Sequence, residues 1–370
     1  MRIGILKEIK NNENRVATPP SGVLELRNQG HEVWVEAGAG LGSAITDQEY
    51  AAAGAVIKEV AAEVWSCDLV LKVKEPLAEE YQYFREGLLL FTYLHMAANQ
   101  PLAEALLASK VNAIAYENVT TPTGQLPLLA PMSVIAGRMA PQIGARFLER
   151  SSGGAGILLA GVPGVKRGEV VIIGGGIAGT NAAQIAFGLG AKVTVLDTNL
   201  QRLQELESEF SGQIQTLSSN LSNLETSLAA ADLVIGAVLL PGHKAPKLVT
   251  RDMVAQMKPG SVIVDIAIDQ GGIFETGDTV TTHDVPTYVR EGVIHYAVAN
   301  MPGAVPQTST YALSNATLPY ILELAKQPIS DVLRENQDLY HGVNTFQGHL
   351  TLQAVAEDLD MPYTSLEQLL

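Results

Sequence analysis

Short runs of β-branched and aliphatic residues recur along the chain, separated by stretches whose apolar positions repeat at helical spacing, the alternation of a parallel sheet with crossover helices. A first set of strands reads RIGIL (2–6), HEVWVEA (31–37), DLVLKVK (68–74), LLLFTYLH (88–95) and NAIAYE (112–117). Residues 20–29 open on Pro20 and are followed by Gly30, the punctuation of a helix start and stop. A second set reads EVVIIG (169–174), AKVTVLD (191–197), QIQTLSS (213–219), DLVIGAV (232–238), SVIVDIAID (261–269) and VIHYAVAN (293–300). Its helices are the alanine-rich 177–190 and the amphipathic 200–210 and 221–230.

Two sets of strands predict two modules, as does a length of 370 residues, more than one core usually organises. The boundary is expected within 126–165, where a long helix starts near Ser133 and a glycine-rich connection follows. After Asn300, turn signals and a helix return the chain to the first module, giving expected domains 1–128 plus 305–370 and 129–304. Beyond Lys326 the sequence is polar, helix-compatible and uninformative. The predicted fold is α/β, with two Rossmann-like doubly wound parallel-sheet domains and a cleft between them.

Charge and composition narrow the partners. Lys and Arg total 24 against 39 Asp and Glu, a net −15 that repels nucleic acid and anionic membrane surfaces. A chain 47% hydrophobic and 17% charged is not disordered, and no apolar run reaches the 18 residues of a spanning helix. One cysteine, Cys67, forms no intrachain disulfide, and the opening MRIGILKEIK lacks a secretory stretch, so a reducing, cytoplasmic setting is expected.

In open parallel α/β sheets, ligands gather beyond the carboxyl ends of the strands. The residues read there are Gly174, Asp197, Ser219, Asp269 and Asn300 in the second module and Lys74, His95 and Glu117 in the first. Any one of them could be polar only because a strand ends at the surface; the set points to a ligand crevice. Gly174, Gly176 and Gly179 form G-x-G-x-x-G between a strand and a helix, the spacing that permits a tight turn, close approach to a pyrophosphate and close helix packing. The helix N-terminus then offers unpaired N–H groups to phosphate. Asp197 follows Gly179 by 18 residues, near the interval of about 20 at which an acidic side chain accepts the adenosine ribose hydroxyls. A carboxylate there repels a 2′-phosphate, so NAD is expected over NADP. Arg202 is open to stacking on adenine, to tolerating a 2′-phosphate, or to being a solvated helix residue. In the first module His95 suits proton transfer to or from a carbonyl or amine, and Lys74 and Arg15 suit a substrate carboxylate.

At these residues the chain resembles the alanine dehydrogenase family and, more broadly, the group that includes the NAD(H)-binding part of proton-translocating transhydrogenase. The segments that carry the likeness are GILKEIKNNENRVATPP with Arg15, LKVKEP with Lys74, FTYLHMAA with His95, APMSVIAGRMA with Ser133, AGVPGV, VIIGGGIAG, VLD with Asp197, VIVDIAIDQGG with Asp269, and VANMPGAVPQTSTYALSNATLPY with Asn300. They run in order from about Met1 to Lys326. The resemblance implies reversible oxidative deamination of L-alanine with NAD⁺ and water to pyruvate, ammonium and NADH, in a homohexamer and with no metal. It gives Arg15 and Lys74 the substrate carboxylate, and His95 and Asp269 the acid–base work. Cofactor contacts would come from Ser133, Ala178, Asp197, Arg202, Ser219, Val238, Leu239, Ile266, Asp269, Val298, Asn300 and Met301, beside the glycine turn. Two other readings stay open: an NAD(H)-binding transhydrogenase subunit, and a non-catalytic NAD-binding protein.

Overall fold

In the computed structural model, which describes residues 1–238 and 245–370, the chain divides into two units, Met1–Met132 with Val305–Leu370, and Ser133–Ala304. The first unit contains β1 (Arg2–Ile5), β2 (Glu32–Glu36), β3 (Val56–Lys58), β4 (Leu69–Leu71), β5 (Leu89–Thr92) and β6 (Asn112–Ala115). The second contains β7 (Glu169–Ile173), β8 (Lys192–Asp197), β9 (Gln215–Ser218), β10 (Leu233–Gly236), β11 (Val262–Asp265), β12 (Thr287–Arg290) and β13 (Val293–Tyr296). The chain then returns to the first unit for β14 (Val343–Phe346) and β15 (His349–Leu350).

The eight-stranded sheet of the first unit runs β15-β14-β6-β5-β4-β1-β2-β3, with β1 to β6 parallel and β14 and β15 antiparallel. Its central strands are apolar on both faces because helices cover both, the reason β4 and β5 read as unbroken hydrophobic runs. The segment after Lys326 is more ordered than its polarity suggests. β14 reads VNTF and is buried along its length. Its polar side chains are matched internally, Thr345 Oγ1 donating to Val111 O (2.8 Å) and Asn344 Nδ2 to Asn118 Oδ1 (3.0 Å). Gln347 and Gly348, both at positive φ, make the two-residue turn into β15.

The seven-stranded sheet of the second unit runs β12-β13-β11-β10-β7-β8-β9, parallel except for β12. The chain winds outward from β7 through β8 and β9, then returns to β10 on its other side, so the order reverses between β7 and β10. That switch point is where such sheets bind ligands. A helix over Ala130–Phe147 carries Ser133 and starts slightly before the expected position. It lies so close to the helix after β7 that a Cβ on Gly137 would stand 2.2 Å from Ala178 O. Among the described residues no helix is long and apolar enough to cross a membrane.

Candidate functional site

The first unit gathers Arg15, Lys74 and His95 beyond the carboxyl ends of its strands, each tied to a carboxylate. Arg15 is 2% exposed, and Glu13 takes its guanidinium edge-on, with Nε donating to Oε1 (2.7 Å) and Nη2 to Oε2 (2.6 Å). Nη1 points to Met132 Sδ at 3.1 Å. Burial works against charge on Glu13, but the Arg15 hydrogen bonds and charge, with Lys74 adding to them, hold its carboxyl below the ordinary range. The guanidinium is thereby locked in orientation.

Lys74 lies in the segment after β4, pinned by Glu8: Oε1 accepts the N–H groups of Val73 (2.5 Å) and Lys74 (3.3 Å). Glu8 Oε2 also faces Lys72 Nζ at 3.2 Å, while Glu80 accepts from the same ammonium at 2.9 Å. Burial pushes the Glu8 carboxyl up even beside Lys72. It opposes charge on Lys72 too, but the two carboxylates more than offset it and Lys72 remains a cation.

His95 follows β5 in a left-handed conformation (φ 47°), held by Glu117, which accepts the N–H groups of Leu94 (3.0 Å) and His95 (2.6 Å). The imidazole is half-exposed, stacks near Tyr93, and has Nδ1 3.2 Å from Glu75 Oε2. Glu75 is buried and also bonds Lys10. Burial raises its pKa, but His95, Lys10 and the charge of Lys74 outweigh that and hold it well below the carboxylate range. A carboxylate on Nδ1 sets the tautomer that leaves Nε2 for chemistry. Lys74 thus acts electrostatically on the partner carboxylates of both Arg15 and His95, which places all three residues in one neighbourhood.

In the second unit the glycine turn has the geometry its spacing predicts. Gly174 sits at φ +102°, and a Cβ there would lie 2.7 Å from Ala237 O on the neighbouring strand. A Cβ on Gly179 would come within 1.8 Å of Gly174 O, whereas one on Gly176 would meet nothing within 4 Å. The turn is closed on the inside and open where a pyrophosphate would approach. Asp197 braces it, Oδ2 accepting from Gly175 N (2.7 Å) and Oδ1 from Asn199 N (2.8 Å), with lone pairs left for ribose hydroxyls. Arg202 is part of the brace: Nε donates to Gly175 O (2.8 Å), Nη2 to Thr180 Oγ1 (2.6 Å), and Nη1 pairs with Glu205. These features fit a dinucleotide at the N-terminus of the helix Ile177–Gly188.

Ala178 lies in that helix, Ser219 directly follows β9, and Val238 follows β10; Leu239 lies outside the described residues. Asp269 does not end a strand. β11 stops at Asp265 and the chain turns into a short 3₁₀ segment, Ile266–Gln270, that carries Ile266 and exposes Asp269. Asp269 Oδ2 accepts from Asn300 N (3.3 Å), so these two residues meet, with Val298 and Met301 buried on either side of the Asn300 turn. Sequence reasoning passed over Glu8, Glu13, Glu75 and Asp265. Glu13 and Glu75 lie two and one residues from cations already singled out, and that adjacency was the available signal.

An α/β chain with a dinucleotide-type glycine turn in one unit and, in the other, an arginine, a lysine and a histidine positioned by carboxylates has the parts of a nucleotide-dependent enzyme acting on a small anion. Family models described as "Alanine dehydrogenase/PNT, N-terminal domain" and "Alanine dehydrogenase/PNT, C-terminal domain" match residues 4–136 and 140–353, and the chain belongs to that family. It is 60% identical over 370 residues, all of both chains, to an alanine dehydrogenase of Staphylococcus epidermidis, and equally to alanine dehydrogenase 2 of Staphylococcus aureus. A solved L-alanine dehydrogenase shares 51% identity and superposes with a TM-score of 0.95, covering 97% of this chain and 99% of that one. A transhydrogenase from Sinorhizobium meliloti superposes with a TM-score of 0.82 at 28% identity, covering 96% of this chain and 100% of that one.

Proposed function

We propose that this protein catalyses the reversible NAD-dependent oxidative deamination of L-alanine to pyruvate and ammonium. The observation that carries the reading is the cluster of Arg15, Lys74 and His95, each held by its own carboxylate, in a chain 60% identical to alanine dehydrogenases along its whole length. NAD, bound at the glycine turn, supplies hydride acceptance at the nicotinamide.

Arg15 and Lys74 hold the substrate carboxylate, the first through a guanidinium already oriented by Glu13. Loss of hydride from C2 leaves an imine; water adds to it, and the carbinolamine collapses to pyruvate and ammonium. Each of those steps moves a proton. His95, its Nδ1 held by Glu75, moves protons at the substrate oxygen or nitrogen, and Asp269 serves the water and ammonia that add at C2. Asp197 accepts the ribose hydroxyls and disfavours a 2′-phosphate, giving NAD over NADP. The proposal extends to a cytoplasmic homohexamer; exposed Leu158, Val162 and Val165 on the glycine-rich connection supply apolar surface for subunit packing.

The test is NADH oxidation by the purified chain, which must require both pyruvate and ammonium. His95→Ala should lower turnover by about 10²–10⁴-fold. Unaltered turnover in that variant removes His95 from the mechanism. NADH binding without turnover would instead fit a non-catalytic binder, and hydride transfer only to a second NADP-bound component would fit a transhydrogenase subunit.

A further inference from the structure

Asp265 is a buried carboxylate inside an otherwise apolar run, and two glycines from separate segments make room for it. A Cβ on Gly272 would stand 2.4 Å from Asp265 Oδ2, and one on Gly236, at the end of β10, 3.1 Å from Oδ1. Its oxygens reach both ends of the following loop: Oδ1 accepts from Ala267 N (3.1 Å) and Oδ2 from Ile273 N (3.1 Å). Asp269, the exposed carboxylate assigned to acid–base work, lies between those two anchor points. From the outer side of the same loop, Lys247 Nζ donates to Gly271 O (2.6 Å) and Phe274 O (2.9 Å). Ala245 N adds a bond to Gln270 O at 2.8 Å.

We propose that Asp265 and Lys247 are positioning residues that clamp the 266–274 loop from its two sides and so fix Asp269 for catalysis. The proposal rests on the assignment of Asp269 as an acid–base group. Neither residue need touch substrate; each acts through the backbone that carries Asp269. Burial pushes the Asp265 carboxyl up to about 7, with its two backbone hydrogen bonds and Lys247 lowering it and Asp269 raising it; among the described residues Lys247 and Asp269 are the charged groups that act on it. The clamp therefore has its full acceptor strength only when Asp265 is ionised, above about pH 7.

The experiment compares wild type with Asp265→Asn, Lys247→Met and Asp269→Asn in steady-state turnover between pH 6 and 9, together with NADH titration. An asparagine can accept one of the two N–H groups but presents a donor to the other. Misplacement of a reacting group by about 1 Å costs up to about 10²-fold, so kcat of Asp265→Asn should fall about 10- to 100-fold, with NADH affinity within about threefold of wild type. The ratio of wild-type to Asp265→Asn kcat should grow as pH rises through about 7, because below it the native acid is neutral like the amide. A uniform, pH-independent loss means a packing role only and overturns the proposal. Lys247 is exposed, so Lys247→Met decides the matter if Asp265→Asn does not fold, and its kcat should fall at least fivefold. If Asp269→Asn is inactive while both clamp variants turn over normally, the clamp is wrong and the Asp269 assignment stands. If Asp269→Asn is fully active, the assignment itself has failed and the clamp with it.

Discussion

Gly176 and Gly179 belong to one motif, yet the structure assigns their missing side chains to different causes, and alanine substitution separates them. Gly179→Ala would drive a methyl to 1.8 Å from Gly174 O, a contact that must open to about 3.0 Å, and the atom in the way is backbone. Gly174 has little room to yield, because it stands at φ +102° with Ala237 O behind it. Overpacking of this kind costs about 1–3 kcal/mol or more, which lowers the melting temperature of the nucleotide-free protein by several degrees. Gly176→Ala meets nothing within 4 Å, and Gly176 has the extended backbone (φ −69°, ψ −163°) of an ordinary helix N-cap. Its loss of stability should stay within about 1 kcal/mol. The added methyl does fill the space a pyrophosphate would enter, denying hydrogen bonds to a charged ligand worth about 1.5–3 kcal/mol each. NADH affinity should therefore fall at least about 30-fold, or about 2 kcal/mol. Melting curves without nucleotide, paired with NADH titration by fluorescence, read both quantities. A Gly176→Ala protein that binds NADH as tightly as wild type would refute the reading of the turn as a pyrophosphate cradle.

Asp197→Ala removes both the proposed ribose acceptor and the brace on Gly175, so NAD affinity should drop while repulsion of a 2′-phosphate disappears; steady-state assays with both cofactors should show the NAD-to-NADP ratio of kcat/KM falling at least about tenfold. Arg15→Lys cannot reproduce the Nε–Nη2 fork that Glu13 engages, and should raise the KM for pyruvate by about tenfold or more; unchanged pyruvate saturation would argue against a carboxylate-binding role. Lys72→Met leaves Glu8 and Glu80 buried without their cation, a loss of about 3–5 kcal/mol that urea denaturation would register; a change below about 1 kcal/mol would show that the cluster contributes little.

The sheet and glycine-turn architecture was legible because parallel strands covered on both faces become apolar runs, and because Gly174 and Gly179 are required by local backbone geometry while Gly176 completes the spacing. β14 was not legible: Asn344 and Thr345 look solvated in the sequence, and their burial depends on partners more than 200 residues away. β12 escaped for the opposite reason, being a half-exposed edge strand with no buried run to mark it. Arg15, Lys74 and His95 stood out as cations in an acidic chain. Glu117 was legible as a strand-end residue, but Glu8 and Glu75 were not, because they reach Lys74 and His95 across about 65 and 20 residues.

One systematic discrepancy has a physical explanation. The apolar runs predict strands extending to Lys74, His95 and Asp269, but the ladders stop at Leu71, Thr92 and Asp265. Lys72 N and Tyr93 N still reach Phe91 O (3.3 Å) and Val73 O (3.4 Å), but a residue or two beyond each stopping point backbone N–H groups turn to a carboxylate. Glu8 accepts those of Val73 and Lys74, Glu117 those of Leu94 and His95, and Asp265 those of Ala267 and Ile273. Asp197 does the same for Gly175 beyond β7. A buried N–H left unpaired costs about 1–3 kcal/mol, so these acceptors let the chain leave the sheet while its apolar side chains stay buried. Each departure carries Lys74, His95, Asp269 or the glycine turn. The residues proposed for chemistry thus stand on backbone held by hydrogen bonds to carboxylates, which when ionised are stronger acceptors than the neutral carbonyls of a sheet, and a carboxylate-to-amide change at Glu117 or Asp197, neither of which pairs with a buried cation, should lower turnover more than it lowers the melting temperature.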